Sequence, residues 1–351
     1  MTVNLDLPKQ VLEVFEKLGA HGYDVYVYGE CVRLLIKGQT LLDFDVITNA
    51  KLSRIRAIFD GYNILEDNPD REELVVTVLG VAVSIRTCDA VDDWSAGNAF
   101  TVDAIAYNPE KGFTDPFGGL NHINGGVAAF TPNGAKPENV LSALVWCSEE
   151  EYTLAPETSK AVFGLIPELS GLSPASLRRD LERVIMGKRA GAVLAEYAEV
   201  FFAFIPEFKP LRGYTDFYSR CVKCVGSSSP VLNLRYALLF CELGKPDCYS
   251  RDCDDNTHYW GHAERARIYA ERIMIRLGCL AEDIKEVGLI IENRDKIPRA
   301  NDVDIKNLLD EYPFGLLKLL LLFKCAEIRA KNDPRTEHEA LNYKHLAGQI
   351  T

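Results

Sequence analysis

The chain has no long hydrophobic run. Its most apolar stretch, Phe314 to Phe323, contains Lys318 and falls well short of the ~20 residues a membrane-spanning helix needs, so no membrane partner is expected. Internal repeats and low-complexity tracts are absent too, which argues against solenoid and fibrous architectures. Positive charge is in deficit: 39 Lys and Arg stand against 51 Asp and Glu, a net charge of -12 at pH 7. That balance is unfavourable for gripping phosphates across a broad face, although a local basic stripe can suffice. Nothing near the start reads as a signal peptide, because residues 8 to 18 have the pattern of an amphipathic helix stopped by Gly19. With ten cysteines and no export signal, the expectation is free thiols in a cytoplasmic protein.

What is present is ordinary globular material. The 351 residues, 47% apolar and 26% charged, can build two or three domains with a sizeable core. Lys51 to Asp60 carries Leu52, Ile55 and Phe59 at helical spacing. Leu74 to Val78 and Val81 to Ile85 read as a tight hairpin around Leu79-Gly80. From about Pro137 onward strand signals vanish and the chain reads as wholly helical. The spacing predicts a helix over 262–277 bearing Arg265, Arg267, Arg272 and Arg276, with Ala266, Tyr269, Ala270, Ile273 and Leu277 turned inward; its arginines read as a solvated face. Cys221 and Cys224 form a Cys-x-x-Cys followed by Cys241, Cys248, Cys253, His258 and His262. They lie in a helical stretch without a second such pair, so they read as buried thiols rather than zinc ligands.

Residues 23 to 48 are the most informative segment. A strand with Val25 and Val27 on one face and Tyr26 and Tyr28 on the other runs into a turn at Gly29. A short apolar helix with Arg33 follows, then Gly38, then a strand expected to carry both Asp43 and Asp45. Side chains two apart on a strand share a side, which would set the carboxylates roughly 7 Å apart along the backbone. Paired carboxylates suit hard divalent cations, which complete their shell with water and phosphate oxygens.

Gly29, Val32, Arg33, Gly38, Asp43, Asp45, Val46 and Thr48 stand in the order and spacing of a known block. The segment resembles the head domain of the class II tRNA nucleotidyltransferases, the CCA-adding enzymes and their bacterial poly(A) polymerase relatives. Further blocks are similar to that family in the same order: Phe100 to Tyr107, Asp115-Pro116-Phe117-Gly118-Gly119-Leu120, the neck-like Pro156-Glu157-Thr158, Ile166 to Leu169 and Leu177 to Arg183, and the body-like Leu243-Gly244-Lys245-Pro246 and Tyr259-Trp260-Gly261-His262. The resemblance implies an α+β fold with a nucleotidyltransferase head, a small mixed or antiparallel sheet with helices, followed by an all-helical neck and body. The expected boundaries are 1–136 for the head, 137–210 for the neck and 211–351 for a body resembling a degenerate HD phosphohydrolase-like module.

Departures from the family pattern fall on residues that handle nucleotide. Glu30 replaces the second glycine of the turn, and a carboxylate there repels polyphosphate by roughly 1 kcal/mol at 4 Å in water and more in a dry cleft. Leu34 replaces an aspartate, Asn98-Ala99 an Arg-Asp, and Ser84 the third carboxylate, with Asp89 nearby. Ala135 to Asn139 keeps none of the base-reading side chains, Asn139, Ser142 and Val145 stand at arginine positions, and Ala175-Ser176 stands where a Glu-Arg begins the next motif. Cys241-Glu242 replaces the His-Asp of a working HD site, leaving His262 alone.

The resemblance therefore implies a divergent metal-dependent nucleotidyltransferase, unlike a normal CCA-adding enzyme. Asp43 and Asp45 would be catalytic and hold Mg2+ or Mn2+, and Gly29, Arg33 and Asp103 would contact the NTP. The nucleotidyl group would pass to a hydroxyl, an RNA 3′ end of tRNA-like form being one acceptor. The competing expectation is a catalytically inactive paralogue that binds RNA or protein.

Overall fold

A computed structural model describes residues 5–213, 216–300 and 305–350. The chain divides into two compact units. One comprises the described residues up to Asn139 together with Thr153–Ala161; the other comprises Val140–Tyr152 and the described residues from Val162 onward.

The first unit is built on a sheet of seven strands. In chain order its elements are α1 (Lys9–Gly19), β1 (Val25–Tyr28), α2 (Glu30–Ile36), β2 (Phe44–Thr48), α3 (Leu52–Ile58), β3 (Asn63–Asn68), β4 (Glu73–Val78), β5 (Val81–Thr87), α4 (Val91–Gly97), β6 (Ala106–Asn108), β7 (Gly112–Thr114) and α5 (Gly119–Gly125). The strand order is β3-β4-β5-β2-β1-β6-β7. The sheet is mixed, because β2 pairs parallel with β5 while the other neighbours run antiparallel. The β4–β5 hairpin closes through Leu79 and Gly80, both with the positive φ that a type I′ turn demands.

Alternation gives this sheet two unlike faces. Val25, Val27, Phe44, Val46, Leu74, Val76, Val83 and Ile85 are buried on one side, where α1 contributes Val11, Val14 and Leu18 and α3 contributes Ile55. Each such side chain, fully buried, is worth about 1.5–3 kcal/mol, which fixes the register of every strand that carries one. The other side carries Tyr26, Tyr28, Asp45, Ile47, Ser84 and Arg86, and Trp94 of α4 packs edge-on against Tyr28 with ring centroids 4.5 Å apart.

The Asp115 to Leu120 loop has a structural explanation. The carboxylate of Asp115 accepts hydrogen bonds from the backbone N–H groups of Gly119 (2.7 Å) and Leu120 (3.0 Å), capping α5. A Cβ on Gly119 would stand 2.1 Å from the carbonyl oxygen of Thr101, so only glycine permits this approach. The Thr101 hydroxyl also meets Nδ1 of His122 at 2.8 Å. The motif thus clamps α5 onto the Thr101–Asp103 turn.

The second unit is dominated by helices, and no helix among the described residues is long and apolar enough to cross a membrane. The region after Pro137 is not wholly helical, however. Thr153–Leu154 pairs parallel with Val127–Ala128, and Ser250–Arg251 pairs antiparallel with Thr257–His258. Strands of two residues are too short to leave an alternating pattern. The strand after Gly38 begins at Phe44, so Asp43 lies one residue outside it.

Gly119→Ala is expected to destabilise the protein by about 1–3 kcal/mol, the usual cost of overpacking. Urea unfolding followed by circular dichroism reads this, and a variant as stable as the parent would remove the close approach as the reason for glycine.

Candidate active site

The polar face of the sheet brings the two aspartates together at the start of β2. Asp43 is exposed and Asp45 is half-buried. The buried thiol of Cys31 faces them from α2. Its sulfur accepts a hydrogen bond from the backbone N–H of Asp45 at 3.1 Å, and the thiol faces Oδ2 of Asp45 at 3.8 Å and the carbonyl of Asp43 at 3.9 Å. Burial, followed by the charge of Asp45, pushes this thiol up to about 12, so Cys31 is a proton-bearing neighbour and not a thiolate ligand. Asp45 itself is raised above the ordinary carboxylate value, first by burial and then by the Asp43 charge, with the Arg86 guanidinium working against both.

The geometry of that sheet face explains its chemistry. Ser84 stands directly beside Asp45 in the β2–β5 register, and Val75 stands beside Ser84 in the next strand. Glu73, two residues before Val75 on the same face, reaches Ser84 and accepts its hydroxyl hydrogen bond at 2.5 Å. Arg86 Nη2 donates to the same Glu73 oxygen at 3.3 Å. The position that lacks a carboxylate in the sequence is therefore touched by one from the neighbouring strand. Its trace in sequence is one acidic residue, Glu73, at the start of a mostly apolar strand. Asp89 cannot serve there, because β5 continues to Thr87 and carries Asp89 past the end of the strand, away from Asp45. Tyr28 completes the group; burial first, and then Asp45, raise its phenol well above the ordinary value.

Gly29, Arg33 and Asp103 form a second group, linked to the first through α2. Gly29 adopts φ +61, and its N–H is bonded to the Ile105 carbonyl at 2.9 Å, so glycine is required here for conformation. Arg33 is buried. Its Nε donates to Asp103 Oδ1 at 3.1 Å, and its Nη2 donates to Glu30 Oε1 at 2.9 Å. The residue replacing the second glycine thus forms an ion pair with the arginine expected to face phosphate, and Asp103 is bonded to that same guanidinium.

The remaining sequence-derived candidates are engaged elsewhere. Asn139 Nδ2 donates to the Gly134 carbonyl at 2.9 Å, the Ser142 hydroxyl donates to Asp180 at 3.1 Å, and Val145 is buried. On the helix His262–Leu277, Arg265 pairs with Asp247, Arg267 with Glu271 and Glu292, and Arg276 with Glu207, leaving Arg272 exposed. Tyr269 is only partly buried and donates its hydroxyl to Asp247 at 2.7 Å. His262 Nδ1 meets the Tyr259 carbonyl at 2.8 Å, and its other nitrogen lies 3.6 Å from Asp295, a packing role at the helix start. All ten cysteines are free thiols, with Cys221 and Cys224 buried.

Among the described residues, no group of three His, Cys, Asp or Glu side chains is placed to hold a metal ion. A pair of adjacent carboxylates still fits Mg2+ or Mn2+, because such ions are often held by one or two carboxylates with water and substrate phosphate filling the other positions. Asp45 is raised first by burial and then by the charge of Asp43, and a divalent cation between the carboxylates would offset the second of these.

No family model matches the chain. Among curated proteins it is 26% identical over 208 residues to the CC-adding tRNA nucleotidyltransferase of Halalkalibacterium halodurans, covering 57% of this chain and 55% of that protein. It is 25% identical over 222 residues to the CCA-adding enzyme of Geobacillus stearothermophilus, covering 56% and 54%. With poly(A) polymerase I of Haemophilus influenzae it shares 24% over 204 residues, covering 49% and 45%. The chain spans about half the length of the curated relatives it matches. Among solved structures, its fold matches the Bacillus stearothermophilus CCA-adding enzyme in complex with CTP at a TM-score of 0.69 and 18% identity, covering 97% of this chain and 81% of that one. The Thermotoga maritima CCA-adding enzyme complexed with tRNA gives 0.66 and 15%, covering 97% and 83%.

The sign of the Asp45 shift makes a prediction. A carboxyl raised in the folded state contributes stability below its unfolded value, about 3.9, and loses that contribution as pH rises through the folded value. Asp45→Asn should therefore melt like the parent in acid and at a higher temperature near pH 7 without metal. A variant less stable than the parent at pH 7 would mean that Asp45 is not the strained partner.

Proposed function

We propose that this member of the family of CCA-adding enzymes and bacterial poly(A) polymerases is a divergent nucleotidyltransferase, moving a nucleotidyl group from an NTP to a hydroxyl acceptor. The observation that carries this reading is the Asp43–Asp45 pair at the start of β2, with the Asp45 carboxyl raised first by burial and then by the charge of Asp43. Asp43 and Asp45 would hold Mg2+ or Mn2+, which when bound polarises the α-phosphate and acidifies the attacking hydroxyl. Because the proton competes with the cation for Asp45, cation binding strengthens as pH rises through the raised carboxyl value. Cys31 keeps its proton and steadies the backbone of Asp45, while the Glu73–Ser84 contact sets a further negative charge near the pair. Phosphoryl-type transfer asks chiefly for positioning and charge stabilisation, so two carboxylates can support it at reduced efficiency.

The relatives whose structures hold CTP or tRNA support an NTP and an RNA 3′ end of tRNA-like form as the substrates of this chain. The division into head, neck and degenerate HD-like body, and the cytoplasmic location, belong to the same reading. The ion pair between Glu30 and Arg33 favours a second reading, an inactive paralogue retained as an RNA- or protein-binding module, because it offsets a cation before any phosphate arrives.

Thermal melting with each of the four NTPs, with and without Mg2+, separates the two. A ligand at 100 times its dissociation constant adds about 2.7 kcal/mol. A Mg2+-dependent shift absent from the Asp43→Asn/Asp45→Asn variant is expected. Its absence with every NTP at millimolar concentration would leave the binding module.

Glu30→Gly should raise NTP affinity roughly fivefold, since removing one carboxylate at about 4 Å is worth about 1 kcal/mol in water. Weaker binding by this variant would show that Glu30 helps to hold Arg33 in a productive position.

A further inference from the structure

The second unit contains a cavity of about 760 Å3, in the range of small-molecule sites. Its walls include the thiols of Cys221, Cys224 and Cys241 with Ile297, Ile328 and Tyr343. The three cysteines are buried. Burial raises Cys224 above the ordinary thiol value, and contact with Cys241 followed by burial raises Cys221. These two stay protonated, and the three sulfurs give the wall a soft, polarisable character. A wall of sulfur and aliphatic carbon suits a flat ring better than a hydrated ion.

The polar part of the cavity is cationic, although the chain as a whole carries a net charge of -12. Arg220, Lys223, Arg299, Lys324 and Lys331 line it, against the carboxylates Glu242, Glu327 and Glu339. Two of those carboxylates are already paired. Glu242, only 4% exposed, lies 2.5 Å from Lys245 Nζ, 3.5 Å from the buried Arg294 and 4.0 Å from Arg220. Glu327 lies 3.2 Å from Lys324. Lys223, Arg299 and Lys331 are exposed and form no ion pair among the described residues. The exposed cations Lys223, Arg299 and Lys331, set against the partly buried Glu339, thus leave the exposed lining with an excess of positive charge.

We propose that this cavity binds a small organic phosphate of mononucleotide size, its phosphate at Lys223, Arg299 and Lys331 and its ring against the thiol wall. The site needs no metal, because fixed cations supply the charge. It is independent of the Asp43–Asp45 pair and of the nucleotidyl-transfer reading.

Isothermal titration of the full chain with AMP in EDTA tests it, with adenosine and inorganic phosphate as the two halves of the ligand. The expected result is saturable AMP binding, roughly tenfold or more tighter than either half. Lys223→Glu/Arg299→Glu/Lys331→Glu should weaken it at least about tenfold, while Asp43→Asn/Asp45→Asn should leave it unchanged. The three rim residues are exposed, and an unaltered melting temperature checks that the variant is folded. No saturable heat at millimolar AMP, AMP binding no tighter than inorganic phosphate, or binding that survives the rim variant would each overturn the proposal. So would binding lost in the aspartate variant.

Discussion

The parallel pairing of β2 with β5 is the constraint on which the candidate site depends. It puts Ser84 beside Asp45, and through the β4–β5 hairpin it brings Glu73 to Ser84. Tyr28 belongs to the same face through the antiparallel pairing of β1 with β2. A slip of one residue would move Asp45 into the core and expose Val46. The apolar face prevents that slip, since Phe44 and Val46 must stay buried beside Val83 and Ile85. Hydrophobic burial on one side of the sheet therefore fixes the geometry of an energetically unfavourable charge cluster on the other.

Several cations of this protein are committed to carboxylates of the same chain. The arginines most suited to meeting nucleic acid, Arg265, Arg267 and Arg276, each meet a carboxylate of the chain, and buried Arg33 meets two. Exposed pairs of this kind contribute little to stability. Their larger effect is on the field seen from outside, because a paired guanidinium attracts a phosphate less strongly than a free one. The acidic composition is therefore expressed in where the cations are committed as well as in the net charge.

The sequence makes the head legible wherever a pattern extends over enough residues. The run from Tyr23 to Thr48 announces strand, turn, helix and strand, and the family resemblance it carries implies the α+β fold with a helical body. Asp43 was expected inside a strand that begins one residue later, because strand ends are set by hydrogen-bond partners that a sequence does not display. Glu73 was not legible as part of the site, since its contact with Ser84 depends on hairpin register and side-chain reach. The two-residue strands of Ser250–Arg251 and Thr257–His258 carry too few residues for alternation. The Cys-x-x-Cys spacing singles out Cys221 and Cys224 as buried thiols, but the cavity they wall also gathers Ile297, Ile328 and Tyr343 from segments distant in sequence, and spacing along the chain does not show that.

The clamp of α5 onto Thr101 bears on how motifs should be read. Asp115 is tied to two backbone N–H groups, and Gly119 has no room for a single methyl, so capping and packing give both identities a structural reason. Selection for folding would keep this signature in a descendant that had abandoned catalysis. The loop is therefore a marker of ancestry, and evolutionary loss of activity in this architecture would be written first at Glu30, Ser84 and the positions around them.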